Sequence, residues 1–417
     1  MHETDVVVIG AGAAGVAAAR RIAAADIRVL VLEARSRVGG RAWTLRAAGL
    51  PLDVGCGWLH SADENEWAAV AATLGFALDR TPPPWGARRR TIGISTAEQE
   101  NFRAAADRFF ARVEEAATAE QDRPASDLLE PGKRWNPLLN AISTYISGAE
   151  LDQVSVRDLG NYHDSGENWR VVEGYGTLVE AYGAPLDLRL ECPATLIDHS
   201  GARLRIETAQ GDIRARAAVI AVPTSIIARE SLRFAPALPN KIAAADALPL
   251  GLDDKLFLHV SEPEALPAES RLFGALDRAG TGSYHLRPFG RPVVECFFGG
   301  RLARQLESEG DGAFARFAIE EIAAYLGGDV RRLLTPIVGS AWGLDPFALG
   351  SYSYARPGHA DARAALAATV DDRLFFAGEA CSVHDYSTAH GAYRTGEEAA
   401  EAILKMFSKL GALNREA

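Results

Sequence analysis

The first apolar run, Asp5 to Ile9 (DVVVI), is short and continuous, as a strand buried on both faces requires. Gly10-Ala11-Gly12-Ala13-Ala14-Gly15 follows it. Val16 to Ala25 is Ala-rich and predicts a helix, and Arg28 to Leu32 (RVLVL) predicts a second buried strand, so the chain opens as a βαβ unit. Ala97 to Glu120 is charged, with Phe102, Phe109, Phe110 and Val113 at helical spacing, and predicts a surface helix outside that unit. Strand patterns then dominate: Leu188 to Leu190, Leu196 to Asp198, Arg203 to Glu207 and Ile213 to Val222, with Gly201 and Gly211 at turns, and later Leu256 to Val260 and Val293 to Phe298. Gly312 to Leu326 predicts a helix, Arg373 to Ala377 (RLFFA) a buried strand running into Gly378-Glu379, and Gly391 to Phe407 an amphipathic helix. Proline and glycine clusters place loops at 82–84, 131–132, 236–239 and 288–292, and Arg88-Arg89-Arg90 reads as a solvated loop. No internal repeat is present. The pattern predicts an α/β fold: a Rossmann-like dinucleotide-binding domain assembled from residues 1–60, 170–225 and 341–417, with an inserted α+β substrate-binding domain from 61–169 and 226–340.

At 417 residues, nearly half of them apolar, the chain can bury a large core and form more than one domain. Its net charge of -11 argues against a nucleic-acid partner and leans towards a small cationic one. The four cysteines, Cys56, Cys192, Cys296 and Cys381, form no CxxC pair, which argues against structural zinc or a disulfide framework and fits a reducing cytoplasm. Val6 to Ala19 is broken by glycines and ends at Arg20-Arg21, so it reads as strand, turn and helix rather than a signal peptide. No run is long and apolar enough to predict a membrane span.

Gly10, Gly12 and Gly15 lie between a strand and a helix. The first permits a tight turn, the second lets backbone approach a pyrophosphate, and the third lets helix and strand pack closely. The phosphates then meet free N–H groups at the helix N-terminus. Glu33, ending the second strand, is placed to accept both ribose hydroxyls. This context marks a dinucleotide site but leaves NAD and FAD open. Glu33-Ala34-Arg35-Ser36-Arg37-Val38-Gly39-Gly40-Arg41 adds a second phosphate element, because two glycines bring the Arg41 guanidinium close to the backbone. Simple NAD domains do not need it, so FAD is favoured.

These blocks, in this order, resemble the flavin-containing amine oxidases. GAGAAG and EARSRVGGR are followed by Leu52-Asp53-Val54-Gly55-Cys56-Gly57-Trp58, then Val219 to Pro223, Trp342, Phe375-Phe376-Ala377-Gly378-Glu379, and His390-Gly391-Ala392-Tyr393 with Gly396. The resemblance implies FAD held by Gly10, Gly12, Ala13, Ala14, Gly15, Glu33, Ala34, Arg35, Gly40, Arg41, Gly57, Trp58, Ala194, Trp342, Gly378, Glu379, Thr388, Ala389 and Ala392. Within that set it implies Glu33 on the adenosine ribose, Arg41 near the pyrophosphate, Glu379 by the ribityl or pyrophosphate region, Ala194 at adenine, and the backbone of Thr388-Ala389 at the isoalloxazine.

For the reacting site the resemblance implies four residues. Lys255, in Leu252-Asp253-Asp254-Lys255-Leu256, matches a buried lysine that holds a water against flavin N5, with a pKa depressed by burial; the strand alone would better suit a surface lysine. Tyr352 matches one wall of an aromatic cage for the amine, and Thr388 stands where monoamine oxidases carry the second wall. Some polyamine-type relatives and the lysine-specific histone demethylases have threonine there. Gly57-Trp58-Leu59-His60 is similar to a block of animal polyamine oxidases, departing from it at Ser61, and would put His60 at the entrance, bonded to a substrate nitrogen or serving structure alone. Ser351 occupies the place where a cysteine tethers the flavin in monoamine oxidases, so the FAD is expected to be non-covalent. His390 is expected to point away from substrate, and Glu150, Asp152, Asp164 and Glu167 to be surface charges.

The reaction so implied is oxidation of a primary or secondary amine, polyamine-like by preference, to an imine with O2 as acceptor and H2O2 as product. Three alternatives stay open. A desaturase or porphyrinogen oxidase shares the cofactor motifs. An L-amino-acid oxidase would need an arginine for the substrate carboxylate, and the sequence points to none. A non-catalytic FAD-stabilised scaffold would not need Lys255 or Glu379 intact. No metal site is expected, and the oligomeric state is not legible.

Overall fold

Five strands scattered along the chain, four of them runs of buried apolar residues, meet in one sheet. The computed structural model describes residues 2–86 and 91–416, so Arg88-Arg89-Arg90 lies outside the described residues. The sheet order is Leu188–Arg189, Val29–Leu32, Val6–Ile9, Ala217–Ile220 and Leu374–Phe376, every pair parallel. Val6 stands opposite both Val29 and Ala217, and all side chains of the three central strands are buried, because both faces of a parallel sheet are covered.

One face carries two helices, Ala13–Ala23 and the C-terminal Ala389–Glu416. They approach closely because their shared face is small: a Cβ on Gly396 would stand 2.2 Å from the Ala14 carbonyl oxygen. The other face carries a second sheet, ordered His2–Glu3, Ile213–Ala215, Leu204–Thr208, Ala194–Asp198, Arg233–Ala235. The run from Ile213 to Val222 is therefore two strands in two sheets, not the one strand its pattern predicts. The chain changes sheets at Arg216, where the backbone N–H groups of Arg216 and Ala217 both turn to the Asp5 carbonyl, at 2.9 and 3.3 Å. Ile227, Phe234, Ala244, Ala245 and Leu248 join the core between these layers, so the start of the 226–340 segment packs with the parallel sheet.

The remaining sheet is ordered Leu334–Gly339, Asp253–Val260, Val293–Gly299, Ser283–Leu286, Ser270–Phe273, Thr91–Ile92, antiparallel except for the last pair. Gly300–Glu309 and Ala313–Leu326 cover one face of it. A helical group, Thr96–Ala117, Asn136–Ser147 and Val156–Asn161, closes the far side; the first of these starts at a Ser95–Glu98 capping box. Among the described residues no helix is long and apolar enough to cross a membrane.

Candidate active site

A single cavity of about 930 Å³ runs from the Gly10–Gly15 turn to the face of the antiparallel sheet. That is at the upper end of volumes that enclose a small ligand or cofactor. Every residue the sequence assigns to the cofactor lines it except Gly15, and so do Lys255, Tyr352, Thr388 and His60. Gly15 serves close approach instead: a Cβ there would lie 1.8 Å from the Gly10 carbonyl oxygen.

At one end the fittings suit a dinucleotide. The Ala13–Ala23 helix starts at Gly12 with no capping side chain and no acidic residue in its first turn, so its free N–H groups and positive dipole end are left for an anion. A Cβ on Gly12 would meet no atom nearer than 3.9 Å, so a larger side chain would fill the space instead. The Gly39 loop is held beside it by an N–H donated to the Ala11 carbonyl (2.9 Å). Glu33 is buried, its two oxygens accepting from the backbone N–H of Ala11 and of Arg35, each at 2.8 Å. Arg35 is paired with Asp345 at 2.6 Å.

Arg41 donates to the Ser351 carbonyl (2.7 Å) and to Glu379 (2.8 Å). Glu379 also accepts from the Ser353 hydroxyl (2.6 Å) and the Ser387 N–H (3.0 Å). Burial pushes its carboxyl upward, but Arg41, Ser353 and Arg363 together hold it below its ordinary range, so it stays ionised. The uncapped helix end, the open space at Gly12 and the Arg41 guanidinium are fittings that suit a dinucleotide pyrophosphate.

At the other end, Lys255 is buried on Asp253–Val260 and donates to Glu295 (2.9 Å) and to the Asp53 carbonyl (3.1 Å). The expectation of a depressed pKa fails here. Burial does press it down, but Glu295, Asp53 and Asp253 outweigh burial and raise it, so the protein holds an ammonium. Glu295 continues into a line of buried polar side chains. His285 Nδ1 lies 3.9 Å from it, His285 Nε2 lies 3.0 Å from Glu269, and Glu269 pairs with Arg170 at 2.7 Å. Arg170 and His285 both back Trp58, the first over its ring at 4.9 Å and the second stacked at 6.2 Å.

Tyr352 lines the cavity, its hydroxyl donating to the Tyr145 carbonyl. Burial and the neighbouring Asp253 raise its pKa far beyond the usual phenol range, so it stays neutral. The Thr388 hydroxyl donates to the Asp385 carbonyl (2.6 Å) and accepts from the Gly391 N–H (2.9 Å), which fixes the start of the last helix and leaves no hydrogen free for a ligand. His60 sits on Leu59–His60 against Asn168, Nδ1 to Oδ1 at 2.6 Å. The Asn168 amide nitrogen is spent on the Gly166 carbonyl, so its oxygen faces His60, and Nε2 is left as an acceptor. Burial lowers the His60 pKa, so the ring is neutral at pH 7. Trp342 is fixed by Nε1 on the Val54 carbonyl (3.2 Å). The Ser351 hydroxyl is spent on the Asp253 backbone, accepting from N (2.7 Å) and donating to O (2.9 Å).

His390 is buried and lies 3.5 Å from Asp385, away from the cavity lining. Asp164 is exposed at the cavity wall. Glu150 is not the surface charge expected of it: it is buried and accepts the Arg301 N–H at 2.9 Å, fixing the start of Gly300–Glu309. Three lining or supporting groups escape a motif-based reading: Glu295, Asp253 and Arg271. Asp253 is buried with Oδ1 unpartnered among the described residues, and burial holds its carboxyl well above the usual range against the pull of Lys255. The signal for Glu295 is a charge inside an otherwise apolar strand, VVECFFG, which is hard to tolerate without a partner or a task; Asp253 and Arg271 carry no such signal.

A parallel dinucleotide sheet, an uncapped phosphate helix and a cavity shared with an inserted antiparallel sheet define a flavoprotein oxidoreductase fold. Residues 13–141 and 133–404 match the model of the family described as flavin containing amine oxidoreductase, and the chain belongs to that family. Its cofactor is accordingly FAD, and it is an amine oxidase. It is 30% identical to polyamine oxidase 3 of Oryza sativa subsp. japonica over 99% of this chain and 92% of that one. It is 30% identical to polyamine oxidase 2 of Arabidopsis thaliana over 95% and 87%. A double mutant of putrescine oxidase superposes with a TM-score of 0.80 at 18% identity, over 97% of this chain and 99% of that one. Wild-type putrescine oxidase bound to putrescine gives 0.77 at 19% identity over the same shares.

Proposed function

We propose that this chain oxidises an aliphatic primary or secondary amine of the polyamine kind, passing the electrons through non-covalent FAD to O2 and releasing H2O2. The observation that carries this reading is that buried Lys255, Tyr352 and His60 share one cavity with the uncapped helix and Glu33. The names of the relatives support the substrate class. When bound, FAD supplies the acceptor for a hydride from the carbon that bears the nitrogen.

The chain's own residues then have limited tasks. Tyr352 offers a neutral aromatic face to the amine. His60 Nε2 accepts a hydrogen bond from a substrate nitrogen. Lys255, held charged by Glu295, fixes a water beside the reacting centre and steadies negative charge there. Thr388 sets the N-terminus of the last helix, whose dipole does the same. Arg41 and the free N–H groups of the Ala13–Ala23 helix hold the pyrophosphate, Glu33 the ribose, and Ala194 the adenine end. We assign residues 1–60, 170–225 and 341–417, with the 226–248 segment that shares their core, to the FAD-binding unit, and the rest to the substrate unit. The cytoplasm is the compartment that suits four unpaired thiols.

The test is anaerobic mixing of the yellow holoprotein with putrescine, spermidine, spermine, N-acetylspermine, tryptamine and L-amino acids. At least one aliphatic amine should bleach the flavin, and air should restore the band with H2O2 formed. Failure of every amine to bleach it would sink the reading.

A further inference from the structure

Charge balance inside the cavity is uneven. Among the described residues three arginines line it, together with Lys255 and the carboxylates of Glu33, Glu114, Asp164, Asp253 and Glu379. Arg35 is paired with Asp345 and Arg41 with Glu379. Arg271, on Ser270–Phe273, has no carboxylate partner among the described residues. Its Nε donates to the Ser283 hydroxyl at 3.2 Å, and its guanidinium lies 3.9 Å over the Phe273 ring. The burial around it is deep enough to lower its pKa to about 10, with only the Tyr145 phenol beside it to oppose the shift. A half-buried guanidinium that faces a cavity without a carboxylate partner is open to an anion, and its planar fork suits a carboxylate.

Its position says where that anion sits. The Ser283 contact anchors the guanidinium over Ser283–Leu286, which is separated from the Lys255 strand by Val293–Gly299 alone. At strand spacings of about 5 Å, the two strands are roughly 10 Å apart. Tyr145, Ile142 and Phe297 supply apolar walls to the same cavity. An extended alkyl chain spans that separation between an amine over the Lys255 strand and a carboxylate at Arg271.

We propose that Arg271 is the carboxylate-binding residue of a substrate subsite, so that the amine oxidised here is an ω-amino acid or another aliphatic amine ending in a carboxylate. This rests on the amine-oxidase reading and departs from the polyamine class, placing a carboxylate where a polyamine carries an ammonium. An unmodified diamine would set an ammonium against this guanidinium.

The experiment is anaerobic flavin reduction in the holoenzyme, comparing 4-aminobutanoate, 6-aminohexanoate and 8-aminooctanoate with diamines of matching length and with L-amino acids. One or more of the ω-amino acids should reduce the flavin with a higher ratio of rate to Kd than its matched diamine. In Arg271→Met that ratio should fall on the order of 100-fold, with Arg271→Lys recovering part of it. Should Arg271→Met fail to retain FAD, hexanoate reads the same contact in the unmutated holoenzyme. It should inhibit amine oxidation competitively and far more strongly than 1-hexanol, and equal inhibition by the two would overturn the subsite.

Diamines that reduce the flavin while every ω-amino acid fails would overturn the subsite and leave the amine oxidase standing. So would an unchanged ratio in Arg271→Met. L-Amino acids reducing the flavin with dependence on Arg271 would overturn the remote placement. No reduction by any amine would remove the amine-oxidase reading itself.

Discussion

Arg41 Nη1 and Glu379 Oε1 lie 2.8 Å apart although 338 positions separate them. The pair joins the second phosphate loop to the turn that follows Leu374–Phe376. Glu379 adds Ser353 and Ser387 to the same junction, so one buried carboxylate ties four segments at the cofactor end of the cavity.

Glu379→Gln should therefore weaken folding and FAD retention together. Breaking a buried pair costs about 3 kcal/mol. The sign with pH follows from the depressed Glu379 pKa. Its stabilisation is present above the ordinary carboxylate pKa and is lost as pH falls through the folded value. Urea unfolding of wild type should show this acid-side loss, and Glu379→Gln should start lower and show less of it. Equal slopes in the two proteins would mean that Glu379 is not the group titrating.

The dinucleotide end was legible because its chemistry is local: strand, GxGxxG and helix are consecutive, and Glu33 falls at the end of the next strand. The reacting end was only partly legible. Lys255 is singled out by the family resemblance and not by its own strand, and its charge state is set by Glu295, a neighbour through sheet pairing and not through sequence. Arg271 looked ordinary because nothing in SRLF says that it faces a cavity without a partner. The split of Ile213 to Val222 was hidden for a similar reason, since alternation marks a strand but not the sheet it joins.

Glu295→Gln tests the charge of Lys255. In wild type the raised Lys255 pKa adds stability below the ordinary lysine pKa, near 10.4, and that stability is lost as pH rises through the folded value. Without Glu295, burial dominates and the lysine pKa falls. Flavin reoxidation by O2 should then lose its rate at lower pH than in wild type, seen as an alkaline limb moved towards neutrality in stopped-flow traces. An unmoved limb would show that Lys255 does not govern that step.

His60→Phe removes the neutral acceptor while keeping an aromatic side chain. The expected effect is a rise in KM for the amine of about tenfold, with kcat changed less, because the lost bond belongs to binding. The lowered His60 pKa means that wild type loses this acceptor only as pH drops below the ordinary imidazole value near 6.5. Wild-type KM should climb in that acid range, and His60→Phe should lack the climb. A parallel rise in both proteins would assign the acid dependence to the substrate.

The Ser351 hydroxyl completes two hydrogen bonds to the backbone of Asp253 and carries no thiol chemistry. Among the described residues that line the cavity, the cysteines are Cys56 and Cys192. Cys56 is a poor nucleophile at neutral pH, since burial pushes its thiol to about 12. Acid precipitation of the holoprotein should accordingly leave the pellet colourless and return one FAD per chain to the supernatant, measured by absorbance after phosphodiesterase treatment. A yellow pellet that survives washing in urea would show a covalent bond and would direct attention to Cys56, the thiol that shares this wall with Gly57 and Trp58.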